Sequence, residues 1–272
     1  MALAEAIFRQ YFNFVYNPTY DGTVGRFSAY HKLQQRCLDK LHIRDGDRVL
    51  CVGVGTGNEL NYILSAGREI EVVAVDTSEK ALEMAHQKAL RLRRHVHTLR
   101  MDARHLQFPP EIFDKAVCIH VMDFVGDSEQ ATKEILRVLK KGGEFVITYP
   151  YEKEGSNLGA NIVREGLLKD IKTRRLGAAL RQLAALIGVS FVYAPFLFRP
   201  RQRIYGPAEI EEIMRRSGAG SFLVDCDSVY VDLIVSGKKE RSGTDDEEGS
   251  PGGFLLLQPE RRGNLASVLR VS

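Results

Sequence analysis

Between Arg48 and Tyr149 short apolar runs alternate with segments of helical spacing, and this alternation constrains the fold more than any other feature of the chain. Residues 48–54 form an apolar run that ends in glycines, and 58–65 have helical spacing. Residues 71–76 are a second apolar run, closed by an acid. Residues 78–92 read as a helix, with Ser78 as its N-cap and Ala81, Leu82, Ala85 and Ala89 along one side. Strands are expected at 96–101 and 113–121, then a helix over 128–140 that stops at Lys140-Lys141-Gly142-Gly143, and a strand over 144–149. Alternation of this kind builds a parallel sheet covered by helices on both faces.

The pattern resumes at Gly206 with a helix over 207–217 that carries Pro207 in its first turn. Two apolar runs, 222–226 and 229–236, are joined by a polar turn and read as an antiparallel pair closing one edge of the sheet. The stretch 151–205 is too long for a connection inside a compact domain, so it reads as a helical cap inserted after the fifth strand. Residues 1–46 read as an N-terminal helical lid and 47–240 as one domain that includes the cap. Residues 241–253 are acidic, rich in Gly and Ser and without periodicity, so 241–272 reads as a disordered tail rather than a metal site.

Composition narrows the class. The chain has 272 residues, of which 44% are hydrophobic and 27% charged, which excludes a wholly disordered chain and a small disulfide scaffold. The net charge of +3 is too mild to imply a nucleic-acid partner. Cys37, Cys51, Cys118 and Cys226 are far apart with no C-x-x-C pair, so buried reduced thiols in a reducing, cytoplasmic setting are expected, with no zinc. The first residues lack the basic start, apolar run and cleavage site of a secretory signal.

The most informative stretch is VLCVGVGTGNEL, where a strand runs into Gly53, Gly55 and Gly57 before a helix. Glycines there let the backbone turn sharply and let a ligand approach the main chain. A dinucleotide fold wants G-x-G-x-x-G, but the third glycine comes one residue early and Asn58 holds the dinucleotide position. The spacing suits a ligand without a pyrophosphate. Asp76 ends the next strand, where a carboxylate can accept both hydroxyls of a ribose. Asp102 ends the third, where it and the Ala103 amide can read the edge of an adenine. Together these sites converge on the crevice where open α/β sheets bind ligands, and they favour an adenosine-containing one.

As an ordered series, VLCVGVGTG, VVAVDTS, RMDA, FDKAVCIHVMDFV and EILRVLKKGGEFVITYP resemble the class I S-adenosylmethionine-dependent methyltransferases, closely over 47–149 and loosely over 206–237. The resemblance implies a Rossmann-like, seven-stranded, mostly parallel sheet whose last strand is antiparallel. It implies S-adenosylmethionine as cofactor, with Gly53, Gly55 and Gly57 under its methionine and ribose parts. Asp76 and Thr77 would then hold the ribose, and Asp102 with Ala103 the adenine. One departure stands out: the family often has an acid two residues before the first glycine, and this chain has Cys51. Two other readings stay open, a nicotinamide-dependent oxidoreductase and a non-catalytic scaffold subunit on a methyltransferase fold.

The family faces both cofactor and acceptor after the fourth strand, here Ile119-His120-Val121-Met122-Asp123-Phe124. His120 either serves as a base near neutral pH or packs beside the cofactor. Asp123 is a second catalytic candidate, or a helix cap or loop anchor. The Asn/Asp-Pro-Pro-Tyr/Phe motif of adenine and glutamine methyltransferases is absent, as is a basic stripe interleaved with aromatics, so a small-molecule acceptor is favoured. In quinone-type C-methyltransferases a Tyr-Asp and a following helix cover the cofactor, and Tyr20-Asp21 and Tyr30-His31 resemble that arrangement.

The cap carries its own signal. Residues 164–203 hold nine Lys or Arg and two Asp or Glu, so the remainder of the chain is net negative. Residues 182–198 hold no charge and include Phe196 and Phe198, read as acceptor-binding. Gly188, Ser190 and Pro195 interrupt this run and argue against a transmembrane helix. It reads either as a cap over an apolar pocket or as a cap that also touches a membrane surface peripherally. Both readings imply a hydrophobic or anionic acceptor.

Overall fold

Strand β1 (Arg48–Val52) is buried on both faces, with Leu50 and Val52 in one core and Val49 and Cys51 in the other. Such a strand belongs in the interior of a parallel sheet. In this computed structural model, which describes residues 10–151, 167–172, 174–193, 203–227, 232–240 and 256–257, β1 lies between β2 (Glu71–Asp76) and β4 (Phe113–Cys118). Beyond them lie β3 (His97–Arg100) and β5 (Leu139–Pro150), also parallel. The connections reverse direction between β1 and β4, which opens a crevice at the carboxyl ends of the strands.

The far edge is built from β6 (Ala219–Cys226) and β7 (Asp232–Lys239). These form the expected antiparallel pair on that side of the sheet, with β7 between β5 and β6. The seven-stranded, mostly parallel sheet with one reversed strand is therefore present. A two-residue strand, β8 (Leu256–Leu257), runs parallel beside Val224 and Asp225 of β6. The rest of the tail, 241–255 and 258–272, lies outside the described residues.

The helices are α1 (Asn17–Tyr20), α2 (Ser28–Leu38), α3 (Leu60–Ser65), α4 (Glu79–Arg91), α5 (Ser128–Val138), α6 (Leu168–Lys172), α7 (Leu176–Tyr193) and α8 (Pro207–Arg216). Helices α5 and α8 cover one face of the sheet through Ala131, Ile135, Ile210 and Met214. Helices α2, α3 and α4 cover the other through Leu33, Cys37, Leu60, Ile63 and Ala85. Ser78 caps α4 as expected, its Oγ accepting from the Ala81 N–H at 3.1 Å, and Ala81, Leu82, Ala85 and Ala89 are buried. The helix expected to reach Lys140 ends at Val138. Leu139 is fully buried and pairs with Phe113, so the Lys-Lys-Gly-Gly run lies inside β5, where the register with β4 shifts.

Helix α2 is part of the core, so what covers the crevice is the segment before it. That segment is a π-helical turn (Phe12–Tyr16), α1 and a 3-10 turn (Val24–Arg26). The cap rests on this cover, with Ala185 of α7 joining Val24, Phe27 and Tyr30. A Cβ at Gly188 would come within 2.8 Å of Thr23 Cγ2, so the glycine is what lets α7 approach so closely. The four cysteines are free thiols, three of them buried. Among the described residues no helix is long and apolar enough to cross a membrane.

Candidate functional site

Three glycines shape the turn out of β1. Gly53, Gly55 and Gly57 all have positive φ, at 64°, 52° and 79°. A Cβ at Gly53 would strike Val121 Cγ2 at 2.3 Å, and one at Gly57 would strike Ala85 at 2.9 Å. At Gly55 the nearest atom would be the Gly53 carbonyl oxygen at 4.0 Å, so this glycine faces open space. Two glycines thus serve packing, and the third leaves a clear approach to the backbone.

Asp76 stands at the end of β2, opposite this turn. Its Oδ2 accepts from the Gly55 N–H at 2.9 Å and its Oδ1 from the Ser78 N–H at 2.8 Å. Burial pushes its carboxyl above the usual carboxylate range, against the pull of the Ser78, Gly55 and Thr77 amides. Thr77 beside it is exposed. Asp102 follows β3, and Arg104 grips its carboxylate from both sides, Nε to Oδ1 at 3.0 Å and Nη2 to Oδ2 at 2.6 Å. The side-chain hydrogen bond from Arg104 holds that carboxyl below its ordinary value. Ala103 is buried next to it. The structure therefore brings Gly53, Gly55, Gly57, Asp76 and Asp102 to one end of the sheet.

The cover is fastened to this turn by polar groups, of which Asp21 and Ser78 were singled out in the sequence and Asn13, Asn17 and Lys88 were not. Asp21 Oδ1 accepts from Thr56 Oγ1 at 2.6 Å and from Asn58 Nδ2 at 3.2 Å. Lys88 of α4 reaches Asp21 Oδ2 at 2.7 Å and also donates to Asn58 Oδ1 at 2.6 Å. Asn17 Nδ2 donates to Ser78 Oγ at 2.9 Å, and that hydroxyl donates to Asn13 Oδ1 at 2.6 Å. Asn13, within the π-helical turn, and Asn17, at the start of α1, carry no spacing signal, so nothing in the pattern could have marked them.

Aromatic rings line the other wall. Phe12, Tyr16, Tyr20 and Tyr30 follow one another at centroid distances of 4.8, 5.3 and 5.7 Å. Phe124, after β4, packs edge-on against Phe12 at 5.5 Å. At the inner end Tyr30 lies 5.8 Å from the His120 ring, and its hydroxyl accepts from Gln34 Nε2 at 3.0 Å. Tyr20 and Tyr30 thus pack on each other, with Tyr30 against the His120 ring. Phe196 and Phe198 lie outside the described residues.

His120 has φ +56°, a left-handed conformation that histidine seldom adopts. Its backbone N–H donates to Thr148 Oγ1 of β5 at 2.8 Å, which helps to hold that conformation. Its Nε2 lies 2.6 Å from Asp232 Oδ2 at the start of β7. Both atoms are shielded from solvent, so the two groups form a buried charge pair. Burial alone would lower the His120 pKa, but Asp232, Asp123 and Asp227 together outweigh that effect and the net direction is up. Asp123 adds to the same field from the loop after β4. It caps no helix, since Asp127 is the N-cap of α5, accepting from the Gln130 N–H at 3.0 Å. Asp232 was missed because only the insertion of β7 beside β5 brings it to His120.

A family model described as a methyltransferase domain matches residues 50–147. The chain is 35% identical over 143 residues to a phosphatidylethanolamine N-methyltransferase of Cereibacter sphaeroides, covering 52% of this chain and 68% of the relative. It is 31% identical over 136 residues to the ubiquinone/menaquinone biosynthesis C-methyltransferase UbiE of Ectopseudomonas mendocina, covering 48% of this chain and 53% of that one. Among solved structures, a Pyrococcus horikoshii protein shares the fold with a TM-score of 0.52 at 21% identity, over 82% of this chain and 96% of that chain.

The His120–Asp232 pair has a measurable signature. With its pKa raised in the fold, His120 stabilises the protein fully below its unfolded pKa of about 6.5, and that contribution fades as pH rises through the folded value. Asp232→Asn should therefore cost about 1–3 kcal/mol at pH 5.5, the range of a charge-assisted contact, and clearly less at pH 9. Urea denaturation of both proteins at the two pH values checks this, and an equal loss at both would dismiss the charge pair.

Proposed function

The chain belongs to the class I S-adenosylmethionine-dependent methyltransferases, and from that premise we propose that it methylates a small hydrophobic or anionic acceptor held under the aromatic cover, with His120 as proton acceptor. The observation that carries this reading is the charge pair of His120 with Asp232 at the end of β4, against the Tyr30 ring.

The crevice suits the cofactor. Gly55 leaves open the space that a side chain would fill, and Asp76 presents a recessed carboxylate beside it. Gly53, Gly55 and Gly57 would pass under the methionine and ribose parts, Asp76 and Thr77 would hold the ribose, and Asp102 with Ala103 the adenine. The cofactor supplies a methyl group made electrophilic by its sulfonium. The chain's task is then to hold the acceptor in line with that methyl and to keep water out, because orientation supplies much of the acceleration. Rings from Phe12 to Tyr30 serve the exclusion of water.

Where the acceptor carries a proton of high pKa, a base is needed. His120 takes that proton at a ring nitrogen, and the negative charge of Asp232 stabilises the imidazolium that results. Asp123 adds to that field and is the lesser candidate. Both relatives are named for lipid-soluble molecules, phosphatidylethanolamine and the quinones, which supports a hydrophobic acceptor.

A peripheral membrane contact is a second part of the proposal. Leu176, Leu180, Leu183 and Ile187 of α7 fall on one helical stripe, and all are exposed. Leu168 and Ile171 of α6 are exposed as well, and Lys172, Arg174, Arg175 and Arg181 stand exposed beside them. An apolar stripe with flanking cations is the pattern of a helix that lies in a lipid interface.

Asp76→Ala should weaken binding of S-adenosylmethionine by about 1.5–3 kcal/mol, the worth of a hydrogen bond to a charged group. Calorimetry checks it, and unchanged affinity would remove the ribose assignment. For the base, the rate should rise with pH through a value above that of an ordinary histidine, and Asp232→Asn should move that limb to lower pH. The profile is measured with a methyl-labelled cofactor and a lipid extract, and an unmoved limb would deny His120 its role. For the membrane, replacing Lys172, Arg174 and Arg175 with Gln should remove roughly 1 kcal/mol of attraction per charge. Co-sedimentation with anionic vesicles at two salt concentrations is the measurement, and failure of the unmodified protein to bind would leave a cap alone.

A further inference from the structure

Glu59 is a buried acid at the floor of the crevice that the reading so far leaves unused. It precedes α3, and its carbonyl accepts from the N–H groups of Tyr62 and Ile63 at 3.0 and 3.1 Å, which fixes it at the helix start. The residue is 8% exposed. Its charge is felt by Cys51 on β1 and by Cys118 on β4, and it in turn feels Asp76 on β2 and Lys88 on α4. Glu59 stands two residues after Gly57 in the turn out of β1, and β1 pairs directly with β2 and β4, whose last residues are Asp76 and Cys118.

The other charged groups there are already engaged. Lys88 is bound by Asp21, Asn58 and Thr56, the last at 3.1 Å. Asp76 is held by the Gly55 and Ser78 amides, and Asp102 by Arg104. Cys51 is fully buried, and desolvation pushes its thiol well above the ordinary range, so it stays neutral. Among the described residues no side-chain hydrogen bond or ion pair reaches the Glu59 carboxylate. A buried carboxylate so poorly matched awaits a cation.

We propose that Glu59 is the counter-charge for the α-ammonium group of the cofactor, standing in for the acid that β1 lacks at Cys51. The inference rests on the methyltransferase reading. Two carboxylates at positions 51 and 59 would face each other across the crevice floor and repel, so a chain with one has reason to lack the other.

The proposal has a thermodynamic consequence. Burial pushes the Glu59 carboxyl up to about 7. An ammonium beside it favours the ionised form, so binding expels a proton wherever the free protein holds one. Affinity should then fall as pH drops below about 7, to roughly a tenth at pH 6 of its value at pH 7.5.

The test is calorimetry with S-adenosylhomocysteine, whose amino group stays protonated over this range, in buffers of different ionisation enthalpy at pH 6 and 7.5. The unmodified protein should release close to one proton at pH 6. Glu59→Gln should bind about tenfold or more weakly at pH 7.5, with no proton release and a flat pH response. Adding Cys51→Asp to Glu59→Gln should restore affinity. Methylthioadenosine, which lacks the amino-acid part, should bind both single forms equally. Equal affinity and equal proton release in the unmodified protein and Glu59→Gln would overturn the proposal and leave the methyltransferase reading standing. No binding of S-adenosylhomocysteine to the unmodified protein would overturn both. If Glu59→Gln does not fold, proton release by the unmodified protein still decides, and its absence counts against the ammonium contact.

Discussion

The turn out of β1 depends on the carboxylate of Asp76. A recessed carboxylate is costly unless its lone pairs are filled, and Asp76 fills them with the Gly55 amide on one side and the Ser78 amide on the other. One side chain thereby joins the glycine turn to the start of α4. Ser78 passes the connection on, since its hydroxyl caps α4 and also holds Asn13 and Asn17 of the cover. Lys88, farther along α4, holds Asp21. The cover is therefore anchored on the same helix that positions the acid, and the two cannot shift independently. A ligand that takes up Asp76 acts on a group already tied to the cover.

The cofactor half of the molecule was legible because its signals are local. Positive φ at three glycines, an acid at the end of a strand and a serine at a helix start each leave their mark within a few residues. The parallel sheet followed from apolar runs buried on both faces, which is what β1 shows. What sequence reading missed depends on distant pairing. The insertion of β7 between β5 and β6 has no local marker, since a hairpin reads the same whichever strand lies inside. That one topological choice delivers Asp232 to His120. The start of β5 was misplaced for a related reason. Lys-Lys-Gly-Gly is a sound helix stop in isolation, and only the pairing of Leu139 with Phe113 makes it strand.

Glu59 illustrates a third kind of illegibility. An acid at the start of a helix is ordinary, because it complements the helix dipole and faces solvent in most chains. Here the residue is turned inward, beside a strand position where a thiol replaces an acid. The significance lies in the combination. Neither Cys51 nor Glu59 alone would have suggested a displaced charge, and the structure was needed to set the two side by side.

Charge also divides the molecule by function. The crevice end carries Asp21, Glu59, Asp76 and Asp102, while the cap presents Lys172, Arg174, Arg175 and Arg181 to solvent. A cofactor bearing a sulfonium and an ammonium is drawn to the first region, and an acceptor of the anionic or lipid-borne kind proposed above would be drawn to the second. The aromatic rings of the cover carry no charge, while Asp232 and Asp123 set a negative field at His120. Because α7 packs on Phe27 and Tyr30 through Ala185, any surface that orients the cap also orients these aromatic rings. Under the proposed function, recognition of the acceptor and attachment of the cap would be two effects of one packing contact.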